Sequence, residues 1–387
     1  MTESAGYESS ASNQSIPSAT SIDRGTFYAV YLYSNNRCLE VLKSQVGEDG
    51  GTCDVTSRAD DPAKKCLSLL ATDLGAASET DLRCYLLKKV ARDLQDSRGN
   101  IDIVELSMGD KVSTPMACLH QAFWKDTTLE NKDHHAYVLC FVAADDGTLD
   151  LFYSDVEAFG RALVPSLTNA ESDFQQALRE NMENWYHICV SYISRCLKGL
   201  GENVATLLHC ALSDGIVDIN IANPEERGDF QRFVDVCKLD VLDSSNSTSS
   251  EKAKCTDGLE RPNLEIRTGS DGIELSHTET SPFCQRWAKA IFKEDLDNAL
   301  LQRRIIEGFK IKTIQDMNLI KRLVKQAEND HYALYNAFRF LKECGYSDTL
   351  LRRATREGSV TATTEGRDVV TLLSEHLVDA RKSITSC

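Results

Sequence analysis

The sequence predicts an α+β protein, in which an N-terminal antiparallel-sheet module precedes a mostly α-helical C-terminal region. Segments rich in β-branched and aromatic residues dominate the first 165 residues, and one amphipathic helix interrupts them. After Pro165 the apolar residues recur with a helical period instead. The longest of these patterns runs from Met317 to Leu341 and predicts a long C-terminal helix.

The N-terminal module is predicted to open with two short strands. Phe27 to Tyr33 has the composition of a strand, and a turn at Asn35-Asn36 leads into a second strand from Cys38 to Leu42. Ser78, with Asp81 three residues later, has the spacing of a capping box at the start of a helix.

The rest of the module is predicted to consist of strands followed by a helix. Ile101 to Leu106 and Met116 to Trp124 both read as strands. A hairpin is predicted from Ala136 to Val142 and from Leu149 to Tyr153, and Ser154 begins the next helix. This order of elements is similar to that of longin-like and roadblock-like domains, which are common in trafficking proteins.

Downstream of the module, helical spacing runs from Phe174 to Cys196, from Val204 to Leu212, from Phe283 onwards and from Val369 to Val378. An insertion between these patterns holds eight acidic and four basic residues with few apolar ones, which is typical of a disordered linker. Composition therefore divides the chain into five segments: a disordered N-terminus (1–24), the α+β module (25–165), a helical segment (166–242), a disordered insertion (243–282) and a helical C-terminal region (283–387).

The long C-terminal pattern predicts a single rod with one apolar seam. At about 1.5 Å per residue, the rod would be roughly 37 Å long, and Gly345 would follow its end. Such rods serve packing or partner docking rather than chemistry. The seam residues alternate in steps of three and four: Met317, Ile320, Val324, Ala327, His331, Leu334, Phe338 and Leu341.

His331 is the one polar residue of the seam, and two interpretations of it stay open. It is either a core histidine hydrogen-bonded to a carbonyl, which is the more common case, or a polar residue that sets the register at a partner interface.

The charge pattern contains one local asymmetry. The net charge of −16 argues against nonspecific nucleic-acid binding, because phosphates would be repelled by most of the surface. Between Leu301 and Lys325, however, seven basic residues face two acidic ones. Such charges either solvate a helix face or dock an acidic partner or a lipid headgroup. The candidate partner-binding residues are Lys310, Lys312, Lys321, Arg322, Lys325 and His331.

No motif indicates catalysis, a cofactor or a metal. Gly199 and Gly201 follow a helix, where a dinucleotide-binding loop should follow a strand, so they predict a helix-ending turn. His209 beside Cys210 lacks a second ligand pair, and core packing is the better interpretation. The fourteen cysteines are scattered without Cys-x-x-Cys spacing, which predicts reduced thiols in a cytoplasmic protein. The sequence has no pattern of a signal peptide or a membrane span. We therefore expect a non-enzymatic protein without cofactors.

A recognisable signature lies in the C-terminal segment, at Phe309 to Asp316, Asn318, Lys321-Arg322, Gln326 to Glu328, His331 to Leu334, Phe340 to Lys342 and Cys344-Gly345. Weaker matches lie upstream at Tyr137-Val138, Leu207 to His209 and Trp287. By these residues the chain resembles the Njmu-R1 family, which is also described as spermatogenesis-related. The similarity extends over most of the chain from about residue 25, but it excludes the loop near Gly50 and residues 243–282.

The resemblance implies a non-enzymatic adaptor or scaffold subunit. Members of the family assemble with a WD-repeat-eleven protein and a sequence-similarity-family-ninety-one protein. That complex would help a Rab-GAP-like adaptor and golgins capture endosome-derived vesicles at the trans-Golgi network. The resemblance supplies no catalytic or ligand residues. Two alternatives stay open: a regulator of a small GTPase, and an enzyme or small-molecule binder with a pocket between the two regions.

Overall fold

The computed structural model divides the chain into two compact units, Met1–Val190 and Ser191–Cys387. The boundary between them falls inside the segment 166–242, which the sequence analysis treats as one helical segment. The structure describes residues 25–34, 66–93, 99–108, 113–124, 135–144, 148–169, 174–239, 263–269, 272–356 and 361–385.

The first unit contains a five-stranded antiparallel sheet, which confirms the predicted α+β fold class. Its strands are β1 (Thr26–Ser34), β2 (Cys66–Thr72), β3 (Asn100–Ser107), β4 (Ser113–Trp124) and β5 (His135–Ala143). They lie in the order β2-β1-β5-β4-β3, so β1, β5 and β4 each pair with a strand on both edges. The two central strands β1 and β5 are nearly continuous apolar runs, which suits their burial on both faces of the sheet.

Helices cover both faces of this sheet. They are α1 (Ala76–Asp93), α2 (Tyr153–Asn169), α3 (Phe174–Glu183) and α4 (Trp185–Cys189). Leu82 and Leu86 of α1 are fully buried in one core with Val138 and Cys140 of β5. Phe141 points to the opposite face, where its ring centroid lies 4.7 Å from that of Trp185. The element order is the one on which the longin-like comparison rests, and that comparison stays a prediction.

The predicted capping box of the first helix is wrong. α1 begins at Ala76, two residues before Ser78. Ser78 Oγ instead donates a hydrogen bond to Ser107 O at 2.7 Å, and Asp81 Oδ2 accepts one from Ser107 N at 3.0 Å. These two side chains therefore attach α1 to β3 rather than capping its first turn.

The predicted hairpin after residue 136 is also wrong in its second half. Thr148–Phe152 forms a short 3-10 helix that leads into α2, and β5 pairs with β1 and β4. The reason is that Leu149 and Phe152, three residues apart, are both buried, which suits a helical turn. β2 has no counterpart in the sequence prediction, and the predicted strand Cys38 to Leu42 lies outside the described residues.

The second unit is mostly α-helical, as predicted. Two of its helices begin after an N-cap side chain that accepts a hydrogen bond from a backbone N–H. These N-cap residues are Asn223 and Ser281, and a proline follows each of them. The helices are α5 (Tyr192–Leu200), α6 (Val204–Leu212), α7 (Pro224–Cys237), α8 (Pro282–Lys293), α9 (Ala299–Ala327), α10 (His331–Cys344), α11 (Ser347–Arg356) and α12 (Thr364–Thr385).

A three-stranded sheet in this unit corrects the predicted disorder where the structure describes the segment 243–282, because two of the strands lie within 263–275. Strands β6 (Ile216–Asn220) and β7 (Asn263–Thr268) are parallel, and β8 (Ile273–Leu275) pairs antiparallel with β7. Leu264 and Ile266 are fully buried at alternate positions and so anchor β7 in the core. Residues 243–262 lie outside the described residues. Within the described part of the chain, no helix has the length and apolar content needed to cross a membrane.

Candidate partner-docking surface

The long C-terminal pattern forms two helices, so the predicted single rod is wrong. α9 ends at Ala327 and α10 begins at His331. Asp330, which has extended backbone angles, caps α10 by accepting a hydrogen bond from Tyr332 N at 2.8 Å. The capping aspartate lies between seam positions, where the apolar pattern does not detect it. Gly345 follows α10 with a φ of 82°, as predicted for a helix-ending glycine.

The apolar side of α9 is buried within the second unit. Phe309 is fully buried, and its ring centroid lies 5.6 Å from that of Phe283 and 6.1 Å from that of Trp287. Ile320 and Val324 are fully buried as well. This face is therefore occupied by the chain's own core and is not available to a partner.

The seam prediction holds for α9, but in α10 it holds only at Leu341. Val324 is buried as predicted, but Leu334 and Phe338 are only partly buried. In α10 the buried positions are Ala333, Ala337, Leu341 and Cys344. The turn at residues 328–330 changes the helical phase, and this moves Leu334 and Phe338 towards the rim of the core.

Two of the predicted partner-binding lysines are engaged inside the unit. The Lys310 side chain is only 10% exposed, and its Nζ lies 3.4 Å from Glu307 Oε2. Lys312 Nζ lies 2.7 Å from Asp316 Oδ1. These ion pairs neutralise both acidic residues of α9, and Lys310 is largely buried whereas the Lys312 side chain is half exposed. The assignment of Lys310 and Lys312 to a docking surface stays a prediction.

Asp316 explains the position of Lys312, which neutralises its carboxylate. Its carboxylate is buried, and its Oδ2 accepts a hydrogen bond from the Tyr346 hydroxyl at 2.9 Å. Burial raises the pKa of Tyr346, and the Asp316 charge raises that pKa further. The tyrosine thus stays protonated as a donor, and Lys312 balances the charge of the carboxylate from the solvent side.

The remaining basic candidates lie on the outer side of α9. Lys321 is partly exposed, whereas Arg322 and Lys325 are exposed. Neither Arg322 nor Lys325 makes a hydrogen bond or ion pair with the described residues. We define the outer row of α9 as five exposed residues spaced in steps of four and three: Ile311, Gln315, Asn318, Arg322 and Lys325. The row contains two cations and no acid, so it is the part of the predicted basic cluster that remains free to meet a partner.

His331 is exposed at the first position of α10, which rules out the core interpretation. The neighbouring Tyr332 and Tyr335 are 70% and 57% exposed. Sequence analysis missed these two tyrosines, although their spacing of three residues, outside the apolar seam, was the available signal. They are further binding candidates in the first turns of α10, because tyrosine is enriched among residues that dominate binding energy.

A polar cavity of about 880 Å³ lies elsewhere in the second unit. Its lining includes His209, His277, Glu279 and Arg352. Burial lowers the pKa of His209, with Arg352 and His277 acting in the same direction and Glu279 opposing them. His209 Nδ1 is buried without a hydrogen-bond partner among the described residues. His209 Nε2 lies 3.8 Å from Glu279 Oε1, and the interpretation of His209 as a core residue stays a prediction.

A second buried polar group lies in the sheet of the first unit. Hydrogen bonds from Cys140 and from His120 favour the Cys118 thiolate and lower the pKa of Cys118, whereas burial raises the pKa of Cys140. His120 Nδ1 lies 3.7 Å from Asp102 Oδ2. A cysteine beside a histidine and an aspartate can support thiol chemistry. Cys118, however, is fully buried under α1, where no substrate can reach it.

Nine of the cysteines within the described residues are free thiols. In the same part of the chain, no group of three or more histidines, cysteines or acidic residues is arranged to hold a metal ion. The prediction of fourteen free thiols without metal stays a prediction, because the other five cysteines are outside these observations.

Comparison with known proteins agrees with the resemblance seen in the sequence. The chain is 28% identical over 364 residues to Protein Njmu-R1 of Mus musculus, and this match covers 91% of the chain and 90% of the relative. The relative's name states no enzymatic activity. The model of the Njmu-R1-like protein family matches residues 28–379, which cover most of both units. The chain therefore belongs to the Njmu-R1-like protein family.

Proposed function

We propose that this protein is a non-catalytic adaptor or scaffold subunit of a vesicle-tethering complex. Its partners would be the WD-repeat-eleven protein and the sequence-similarity-family-ninety-one protein. The complex would help a Rab-GAP-like adaptor and golgins capture endosome-derived vesicles. The chain would work in the cytoplasm and reach the trans-Golgi network and vesicle membranes through these partners. Membership of the Njmu-R1-like family supports this assignment.

The observation that carries the proposal is the outer row of α9. Arg322 and Lys325 are exposed cations in a protein with a net charge of −16, and neither is used to stabilise the described fold. Exposed charges contribute little to the stability of a fold, so these two cations are available to a binding partner. The exposed Tyr332 and Tyr335 on the next helix are of a residue type that is enriched in binding surfaces. Charge complementarity across an interface gives specificity and speeds association.

Affinity purification of the full chain from cells, followed by mass spectrometry, tests the proposal. An unrelated protein of equal net charge, carrying the same tag, is the control. We expect both named partners to be enriched with the chain and not with the control. If neither partner is enriched at low or physiological salt, the adaptor assignment is wrong.

The polar cavity favours a second candidate function, the binding of a small polar ligand. Thermal-shift measurements on the full chain with inorganic phosphate, nucleotides and small carboxylic acids test it, since a ligand that binds the folded state raises the melting temperature. His209→Ala and Arg352→Ala should abolish a shift that arises in this cavity. If no compound gives a shift that these variants remove, the ligand-binding function is rejected. Regulation of a small GTPase stays a prediction from element order.

A further inference from the structure

We propose that the outer row of α9 binds an acidic α-helix of a protein partner, an inference that rests on the adaptor function proposed above. The row extends from Ile311 to Lys325, and at about 1.5 Å per residue it is roughly 21 Å long. Arg304, exposed one heptad before Ile311, continues it towards the start of α9.

The spacing of the row matches a helical partner. Its residues follow one another in steps of four, three, four and three, which is the stripe that one helix presents to a second helix crossing at about 20°. Ile311, 50% exposed, supplies an apolar contact at one end. Arg322 and Lys325 supply cations at the other end, one helical turn apart.

The charges on α9 indicate which residues the partner helix carries. The two acidic residues of α9, Glu307 and Asp316, are paired with Lys310 and Lys312, so they do not compensate the row. A helix with acidic residues at matching steps of three and four would meet Arg322 and Lys325 and would place an apolar residue against Ile311. Such complementarity affects the rate of association and its salt dependence most strongly.

An anionic membrane fits this surface less well. A helix that lies in a membrane interface inserts a broad apolar face, and the apolar face of α9 is already buried in the core. Ile311 is the one exposed apolar residue of the outer row. Binding to lipid would therefore rest on a few charges alone, which is weak compared with a paired helix.

A charge reversal with a matched control tests the inference. Arg322→Glu with Lys325→Glu changes the outer row, whereas Lys289→Glu with Lys293→Glu makes the same charge change at exposed positions of α8. Each full-length variant is co-expressed with the two partners named under the proposed function. We expect the row variant to lose affinity about tenfold or more and to lose much of the salt dependence of binding, with the α8 variant unchanged. Circular dichroism and melting temperature confirm that both variants are folded.

Photo-crosslinking identifies the segment that binds to the outer row of α9. With benzoylphenylalanine in place of Asn318, the crosslink should map to a partner segment whose acidic residues recur every three or four positions. Crosslinks to phosphatidylserine in added vesicles, or to a segment without acidic residues, would overturn the inference. Normal partner binding by the variant Arg322→Glu with Lys325→Glu would also overturn the inference, but it would leave the proposed adaptor function intact. If the unaltered chain does not bind either partner, both the adaptor function and this inference fail.

Discussion

Replacing Phe309 by alanine should destabilise the second unit far more than replacing Phe338. Phe309 is fully buried between the rings of Phe283 and Trp287, so its removal leaves an enclosed cavity. Truncations of this kind cost about 3–5 kcal/mol. Phe338 is partly buried beside His376, with ring centroids 5.8 Å apart, and its side chain borders solvent. Its replacement removes less buried area and should cost about 1–2 kcal/mol.

The assay must measure the stability of the second unit separately, because a chain with two compact units does not unfold as one two-state system. Hydrogen exchange followed by mass spectrometry, in a urea series, gives the opening free energy of peptides from α9. Peptides from β1 in the first unit are the internal control, and neither substitution should change them. Equal destabilisation of α9 by the two variants, or a larger effect of Phe338→Ala, would restore the single-rod interpretation and refute the packing described above.

Three further predictions concern buried polar groups and thiols. Tyr346→Phe removes the hydrogen bond to Asp316 and should lower the opening free energy of α9 peptides in the same hydrogen-exchange series by about 1–3 kcal/mol, because a buried carboxylate loses a donor; an unchanged opening free energy would argue against that bond. The lowered pKa of His209 means that the unfolded chain binds more protons below about pH 6.5. Stability should therefore fall as the pH drops through this range, and His209→Gln should reduce the fall; an identical pH profile would contradict this cause. Finally, the intact mass of freshly purified protein should correspond to fourteen reduced cysteines, and elemental analysis should find no bound zinc; one zinc per chain, or a mass deficit, would be the opposite result.

Elements with a strong local signal could be predicted from the sequence. β1, β3, β4 and β5 all have the composition of strands, and the predicted helix Val204 to Leu212 coincides with α6. The small sheet of the second unit could not be predicted, because β8 is only three residues long and β7 has two buried residues in a polar segment. Its strands also pair across a long stretch of sequence, which no local pattern reports.

The candidate surface was predicted in part. The excess of basic residues indicated the helix that carries the candidate surface, but it did not separate lysines that pair with acidic residues of α9 from cations that remain available. Sequence spacing could have distinguished the two groups of basic residues. Lys310 follows Glu307 by three residues and Lys312 precedes Asp316 by four, so the two members of each pair lie on the same side of the helix. His331 was placed on the seam because the helix was assumed to be continuous, and the aspartate at position 330 interrupts it.

Reconstitution from purified components tests the adaptor assignment most directly. The full chain is mixed with the WD-repeat-eleven protein and the sequence-similarity-family-ninety-one protein, and the mixture is analysed by size-exclusion chromatography with light scattering. We predict one complex containing all three chains, whose dissociation constant increases with salt because the cationic outer row contributes to binding. If the chain elutes alone at physiological salt and at all protein concentrations tested, the account of this protein as a subunit of that complex is contradicted.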